Sequence, residues 1–86
     1  MSNLLEFYGE ECPHCLKIKP LLERLEKETG AKAESYEVWH NEENAAKMQE
    51  YDRGFCGGVP FLYNTETNEW LCGEASYEEI KKWANK

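Results

Sequence analysis

Residues 4–15 read LLEFYGEECPHC, and the organisation of the whole chain follows from this stretch. A nearly continuous apolar run over residues 3–8 is typical of a strand that is covered on both faces. Pro13 then stands where the first turn of a helix tolerates a missing N–H. Two thiols, Cys12 and Cys15, therefore lie where a buried strand gives way to a helix. Such a Cys-x-x-Cys pair can close a small disulfide or hold a metal, and its context decides between them.

The composition predicts a single small globular domain over residues 1–86. Apolar residues make up 41% of the chain and aromatic residues 13%, which is enough for one modest core. The chain carries 17 acidic and 10 basic residues, for a net charge of −7. This charge opposes binding to nucleic-acid phosphates or to an anionic membrane surface, so we expect neither as a partner.

The first residues and the cysteine content lead us to expect a cytoplasmic protein. Residues 1–6 contain neither a basic leader nor a long apolar run, and no segment has the length needed to span a bilayer. Four cysteines in such a chain should be mostly reduced. This expectation disfavours a structural disulfide framework and favours a catalytic or metal-binding role.

Hydrophobic spacing and breaker residues predict the element order β-α-β-α-β-β-α. The predicted segments are a helix from Cys15 to Gly30 with Pro20 inside it, a strand at 33–39, a helix from Asn41 to about Asp52, a breaker-rich loop at 54–60, strands at 61–63 and 69–72 joined by a polar turn at 64–68, and a last helix opened by the capping box of Ser76 and Glu79.

This order defines an α/β fold class. Because crossover connections are right-handed, the first two strands should be parallel with a helix between them. The final hairpin then completes a four-stranded mixed sheet flanked by three helices. In such sheets, functional sites collect at the carboxyl ends of strands, which is where the Cys-x-x-Cys pair follows the first strand.

Taken together, these residues resemble the thioredoxin superfamily in its minimal, glutaredoxin-sized form, over essentially the whole chain. The Cys-Pro-His-Cys turn at residues 12–15 is similar to the family's active-site motif, and its Pro-His pair resembles that of DsbA-type oxidants. Pro20 is similar to the proline that kinks the family's active-site helix. Val59-Pro60, before an apolar strand, resembles the family's cis-proline loop, and Gly73 matches a glycine that precedes its last helix.

The resemblance implies a thiol-disulfide oxidoreductase that acts by dithiol exchange on protein or small-molecule disulfides and contributes to redox homeostasis and electron transport. Cys12 would be the nucleophile, since a helix N-terminus favours a thiolate, and Cys15 would be the resolving thiol. Glu6 would be a buried acid that relays the proton of Cys15, and the alternative is an acid near a strand edge that reaches solvent. The implied substrate-binding residues are Pro13, His14, Val59, Pro60 and Gly73, with the Val59-Pro60 bond cis.

The implied protein needs no bound cofactor and no metal. We expect a monomer whose partners are disulfide-containing proteins and an electron donor, which is either a reductase or glutathione. Glutathione is left open as a co-substrate, because Cys72-Gly73-Glu74 replaces the segment that would help a glutaredoxin hold glutathione. Two acids, Glu10 and Glu11, stand close to the thiols, where a basic residue would be expected.

Cys56 and Cys72 leave several interpretations open. The compartment argument favours two reduced thiols. They could instead form a second regulatory disulfide, be glutathionylated, or complete a four-thiolate site with Cys12 and Cys15. The rival functions are accordingly a zinc or iron-sulfur binding module and a non-catalytic thioredoxin-fold interaction domain. No role is predicted for His40, and the residues predicted to pack in the core or at an edge are Trp39, Trp70 and Trp83.

Overall fold

Strands and helices follow one another along the chain in the predicted order. The computed structural model describes residues 3–86, and no helix within that range combines the length and apolar character needed to cross a membrane. The elements are β1 (Leu4–Tyr8), α1 (Pro13–Thr29), β2 (Glu34–Glu37), α2 (Glu42–Tyr51), β3 (Phe61–Asn64), β4 (Trp70–Cys72) and α3 (Tyr77–Trp83).

The four strands form one mixed sheet in the order β2-β1-β3-β4. β1 pairs in parallel with β2 and antiparallel with β3, and β4 pairs antiparallel with β3 at the far edge. In the centre of the sheet, Phe7 lies in register between Tyr36 of β2 and Phe61 of β3. β1 is thus an inner strand, which explains why its sequence is apolar almost without alternation.

The side chains of β1 divide between two hydrophobic cores. Leu5 and Phe7 pack with Met48 of α2 on one face of the sheet, and Leu4 packs on the opposite face. Because successive strand side chains point to opposite faces, Glu6 shares the face of Leu4 and points toward α1. The core on this second face comprises Leu4, Ile18, Leu22, Leu25, Leu62, Ile80, Trp83 and Ala84.

α1 begins and ends at residues that satisfy its terminal backbone groups. Cys12 is the N-cap and Pro13 the first helical residue. At the other end, Gly30 has a φ of 78°, a conformation that glycine adopts at little cost, and its N–H donates to the carbonyl of Glu26 at 2.8 Å. The helix runs for 17 residues and continues through the exposed Pro20. The predicted caps of the other helices, Asn41 for α2 and the Ser76 and Glu79 capping box for α3, are confirmed.

β2 is shorter than the predicted strand at 33–39. β1 ends at Tyr8, whose carbonyl still accepts a hydrogen bond from the N–H of Val38 at 2.8 Å. Beyond Tyr8, β1 offers no further strand residues with which β2 could pair. Trp39 then folds over the loop between β1 and α1, where a Cβ on Gly9 would lie 2.2 Å from its ring. Its side chain is 51% exposed, so Trp39 covers this loop and is not a core residue.

Asn64 lies outside the polar turn to which it was assigned and is the fully buried last residue of β3. Its Nδ2 donates to the carbonyl of Trp83 at 2.8 Å, and its Oδ1 accepts from the Nδ2 of Asn3 at 2.8 Å and from the N–H of Glu66 at 2.9 Å. A buried amide is stable only when its donors and acceptors are paired in this way. Asn64 therefore ties the hairpin turn, the start of β1 and the end of α3 together.

Candidate active site

The sulfur of Cys12 caps α1. The N–H of Cys12 donates to the carbonyl of Gly9 at 3.0 Å, and this turn carries the chain from β1 into the helix. The Sγ of Cys12 then accepts a hydrogen bond from the N–H of Cys15 at 3.2 Å. Side-chain oxygens usually fill this position, because the first N–H groups of a helix have no intrahelical partner. Here a thiol sulfur fills it, and this hydrogen bond joins the side chain of Cys12 to the backbone of Cys15.

The loop before β3 lies across from Cys12. The Val59-Pro60 peptide bond is cis, as predicted. The thiol of Cys12 donates to the carbonyl of Val59 across 3.8 Å, and the N–H of Gly73 donates to the carbonyl of Pro60 at 2.9 Å. The structure therefore places Val59 in contact with the Cys12 thiol and links Gly73 to the adjoining Pro60.

Burial does not separate the two thiols of the motif. Both are free, and Cys12 is 3% exposed while Cys15 is 4% exposed. What distinguishes the two is the helix cap, in which the Sγ of Cys12 is the acceptor and Cys15 supplies only its backbone N–H. Burial, together with the hydrogen bond to Cys12, raises the pKa of Cys15 to about 12, although the backbone of Gly9 acts in the opposite direction.

Glu6 is buried on the α1 face of β1 and is only 7% exposed. Burial raises the pKa of its carboxyl, and the hydrogen bond from Ser35 and the charge of Lys19 limit that rise. The Oγ of Ser35 donates to the Oε1 of Glu6 at 2.6 Å. Because β1 is an inner strand, the alternative of a solvent-reaching acid at a strand edge is wrong.

An open cleft of about 780 Å³ joins Glu6 to Cys15. Tyr8 and Lys19 also line it, so Tyr8 contributes to the groove beside the thiols. Leu16 also lines this cleft and is 61% exposed. Glu6 and Cys15 therefore line one open cleft.

Pro13 and His14 are both exposed at the start of α1. The Nδ1 of His14 lies 2.5 Å from the Oε2 of Glu74, and the Nζ of Lys17 lies 3.5 Å from the Oε1. The hydrogen bond with His14 lowers the pKa of Glu74. Glu74 was not among the predicted site residues, although its position directly after the predicted Gly73 could have indicated that it lies near the site.

Other residues contact the acidic loop before the motif, at the side chain of Glu11 and at the backbone of Glu10. The Nε2 of His40 lies 2.7 Å from the Oε1 of Glu11, and this hydrogen bond raises the pKa of His40. The N–H of Glu10 donates to the carboxylate of Glu37 at 2.9 Å. One ligand atom from each of Glu10, Glu11 and His40 falls within 4.8 Å of the others, on an exposed surface. His40, for which no role was predicted, therefore pairs with the acidic loop beside the thiols.

Cys56 and Cys72 form a disulfide, so the expectation of two reduced thiols is wrong. The antiparallel pairing of β3 with β4 places Cys72 opposite Phe61, and the loop before β3 returns Cys56 to the same place, with 5.4 Å between the two Cα atoms. This separation lies within the range that a disulfide spans. The redox state of a compartment does not indicate which cysteines the fold brings close together. The same bond removes two ligands from the four-thiolate site that the sequence left open.

Comparison with known proteins identifies the fold. No protein-family profile matches the chain, and no curated protein matches its sequence. The chain is similar to the crystal structure of a glutaredoxin from Archaeoglobus fulgidus, with 20% sequence identity and a TM-score of 0.70 over 100% of this chain and 89% of that one. It is also similar to the crystal structure of a mutant thioredoxin-like protein, with 18% identity and a TM-score of 0.70 over 99% and 97% of the two chains. The protein therefore has the thioredoxin fold, in agreement with the sequence-based resemblance.

The high pKa of Cys15 predicts how this thiol responds to alkylation. In the reduced, folded protein, iodoacetamide should leave Cys15 unlabelled up to about pH 10, because only the thiolate reacts and the pKa of Cys15 is about 12. Labelling at each thiol is read by tandem mass spectrometry. The urea-unfolded protein is the control, in which labelling of both thiols should have its inflection at about pH 8.5. An inflection for folded Cys15 near that same pH would contradict the assignment.

The raised pKa of Glu6 predicts a pH-dependent loss of stability. Above its ordinary value of 4.5, the carboxyl ionises in the unfolded chain but keeps its proton in the folded protein. The free energy of unfolding should therefore fall as the pH rises toward the folded pKa, by about 1.4 kcal/mol for each unit of difference between the two pKa values.

The variant Glu6→Gln cannot titrate at this position and should escape this loss. Its stability relative to the wild type, measured by urea unfolding, should rise from pH 4.5 upward and then level off. Glu66→Gln, which removes an exposed carboxyl in the hairpin turn, is the matched control and should show a flat difference. A flat difference for Glu6→Gln would mean that the carboxyl is not held in a buried, uncharged form.

Proposed function

We propose that this protein is a thiol-disulfide oxidoreductase that works by dithiol exchange through Cys12 and Cys15. The observation that carries the proposal is the position of the Cys12 sulfur, which caps α1 and lies 3.8 Å from the carbonyl of Val59. The thioredoxin fold supports thiol redox chemistry of this general kind. The specific activity is inferred from the geometry of the site.

The exchange proceeds in two balanced steps. The thiolate of Cys12 attacks one sulfur of the substrate disulfide, so that a mixed disulfide forms and one substrate thiol leaves. Cys15 then loses its proton and attacks the Sγ of Cys12, which releases the second substrate thiol and forms the Cys12–Cys15 disulfide. The substrate gains two electrons, and the active-site pair loses two. An external reductase or glutathione would restore the dithiol by the reverse sequence.

The cap explains why Cys12 attacks first. An N-cap acceptor faces the unpaired N–H groups and the positive end of the helix dipole, and both stabilise a negative sulfur. Cys15 has no such position, and with a pKa of about 12 it remains a neutral thiol until its proton is taken. This asymmetry keeps Cys15 from competing with Cys12 for the substrate.

Glu6 supplies the acceptor that Cys15 needs. Its carboxyl lines the same cleft as Cys15, and its raised pKa brings the acid closer to neutral pH, where proton transfer in both directions is efficient. Ser35 orients the carboxyl through its hydrogen bond. We therefore assign to Glu6 the relay of the Cys15 proton, through water in the cleft.

The surface around Cys12 fits an extended peptide. A substrate strand that lies along the backbone of Val59 and Pro60 would place its sulfur next to that of Cys12, because the carbonyl of Val59 already contacts the Cys12 thiol. Gly73 supports this wall by donating to the carbonyl of Pro60. Pro13 and His14 stay exposed at the opposite side of the thiol and would contact the substrate through their side chains.

The partners follow from this chemistry. Disulfide-containing proteins are the proposed substrates, with a reductase or glutathione as the electron donor, and no resident cofactor or metal enters the reaction. The net charge of −7 argues against nucleic acid and anionic membranes as partners. We propose that the protein acts as a monomer in the cytoplasm.

The function is tested with trapping variants in an insulin-reduction assay. The wild type should reduce insulin with dithiothreitol as the donor, whereas Cys12→Ser should show no activity above the donor alone. Cys15→Ser should accumulate a mixed disulfide through Cys12, which is visible as a dithiothreitol-sensitive adduct by mass spectrometry. No turnover and no adduct would favour a non-catalytic interaction domain, and zinc or iron bound to the purified protein would favour the metal-binding alternative.

The relay is tested by the rate of the second step. In single-turnover exchange, Glu6→Gln should slow release of the second substrate thiol near neutral pH on the order of 100-fold, while formation of the mixed disulfide changes little. Glu66→Gln is again the matched control. If Glu6→Gln kept the wild-type rate and pH profile for both steps, Glu6 would not be the relay.

A further inference from the structure

The Cys56–Cys72 disulfide links the loop that faces Cys12 to the outermost strand of the sheet. Cys56 lies in the segment between α2 and β3, three residues before Val59, whose carbonyl contacts the Cys12 thiol. The Sγ of Cys56 itself lies 3.2 Å from the carbonyl of Gly58. Since one peptide unit separates the Gly58 and Val59 carbonyls, the two cysteine pairs flank the same short piece of backbone.

One sulfur of this disulfide belongs to an exposed residue. Cys72 is exposed in β4, which pairs with β3 alone among the described strands, whereas Cys56 is half-buried. Next to the bond, Phe55 and Trp70 stack with ring centroids 5.0 Å apart and are 52% and 38% exposed. Exposed disulfides are those that exchange with thiols, because a thiolate can reach them.

We propose that Cys56–Cys72 is a second redox-active site, at which an external dithiol attacks Cys72, and that its state controls the position of the Val59 carbonyl beside Cys12. This site lies outside the exchange reaction proposed for Cys12 and Cys15. Its reactant is a small dithiol or the dithiol of another protein.

The exchange at this site balances without a further reactant. A thiolate of the dithiol attacks the Sγ of Cys72, the Cys56–Cys72 bond breaks, and Cys56 leaves as a thiolate that takes up a proton. The second thiol of the reactant then attacks the mixed disulfide and releases Cys72. The reactant ends as a disulfide, and the protein gains two electrons and two protons as two thiols.

Breaking the bond removes one of few attachments of the loop. Asp52 holds the loop through its carboxylate, which accepts from the N–H of Cys56 at 2.7 Å and from that of Gly57 at 2.8 Å. The stack of Phe55 on Trp70 and the hydrogen bond from Gly73 to Pro60 also hold the loop, and the disulfide is its covalent link to β4. Because Gly57 and Gly58 give the following backbone wide freedom, reduction should let Val59 move away from Cys12.

The redox activity is tested in the double variant Cys12→Ser with Cys15→Ser, which retains only the second pair. The protein is equilibrated with reduced and oxidised dithiothreitol in varied ratios, alkylated, and analysed by mass spectrometry while circular dichroism monitors folding. Cys56 and Cys72 should convert together in one two-electron transition of the folded protein. The proposal is overturned if the pair remains oxidised until the protein unfolds, or if air-oxidised protein contains two free thiols here.

The coupling to Cys12 is tested by its labelling rate in a Cys15→Ser background. Adding Cys56→Ser and Cys72→Ser should speed alkylation of Cys12 severalfold, because the loop over this buried thiol loses its covalent tie to β4. Should these variants fold poorly, the wild-type protein with the second pair selectively reduced provides the same comparison. Equal labelling rates would overturn the coupling. Neither measurement requires turnover of a substrate, so failure of the proposed oxidoreductase activity would appear separately, in the insulin assay.

Discussion

The burial of β1 on both faces is the constraint on which the rest of the structure depends. As an inner strand, β1 must send alternate side chains into two cores, one beneath α1 and α3 and one beneath α2. This alternation places Glu6 on the α1 side, the side on which Cys15 lies. β1 ends at Tyr8, and the turn closed by the hydrogen bond from Cys12 to Gly9 delivers Cys12 to the start of α1.

The cap of α1 converts two chemically identical thiols into unequal ones. Both cysteines are almost fully buried, so exposure alone cannot assign their roles. The sulfur of Cys12 accepts the helix-cap hydrogen bond, while burial and the hydrogen bond with Cys12 raise the pKa of Cys15 to about 12. A spacing of two residues is what allows this difference, because it puts one sulfur before the first helical turn and the other within it.

The hairpin of β3 and β4 holds in place the loop that faces Cys12. Its position is maintained at one end by Asn64, whose side chain pairs with the ends of β1 and α3. At the other end, the Cys56–Cys72 disulfide and the hydrogen bond between Gly73 and Pro60 connect it to the loop that faces Cys12. The hairpin is therefore anchored to the core at one end and bonded covalently, at the other end, to the loop beside Cys12.

The sequence by itself determined the element order, the caps at Asn41 and Ser76, the mixed sheet and the positions of the Cys-x-x-Cys pair and Val59-Pro60. These features depend on local periodicity and on residues with strong conformational preferences, which are visible within a short window. Tertiary structure alone decided the Cys56–Cys72 bond, the His14 contact with Glu74, the His40 contact with Glu11 and the burial of Asn64. Each of these joins residues that are distant in sequence, or pairs a side chain with backbone from another element. Neither composition nor spacing encodes which distant residues the packed sheet brings within bonding distance.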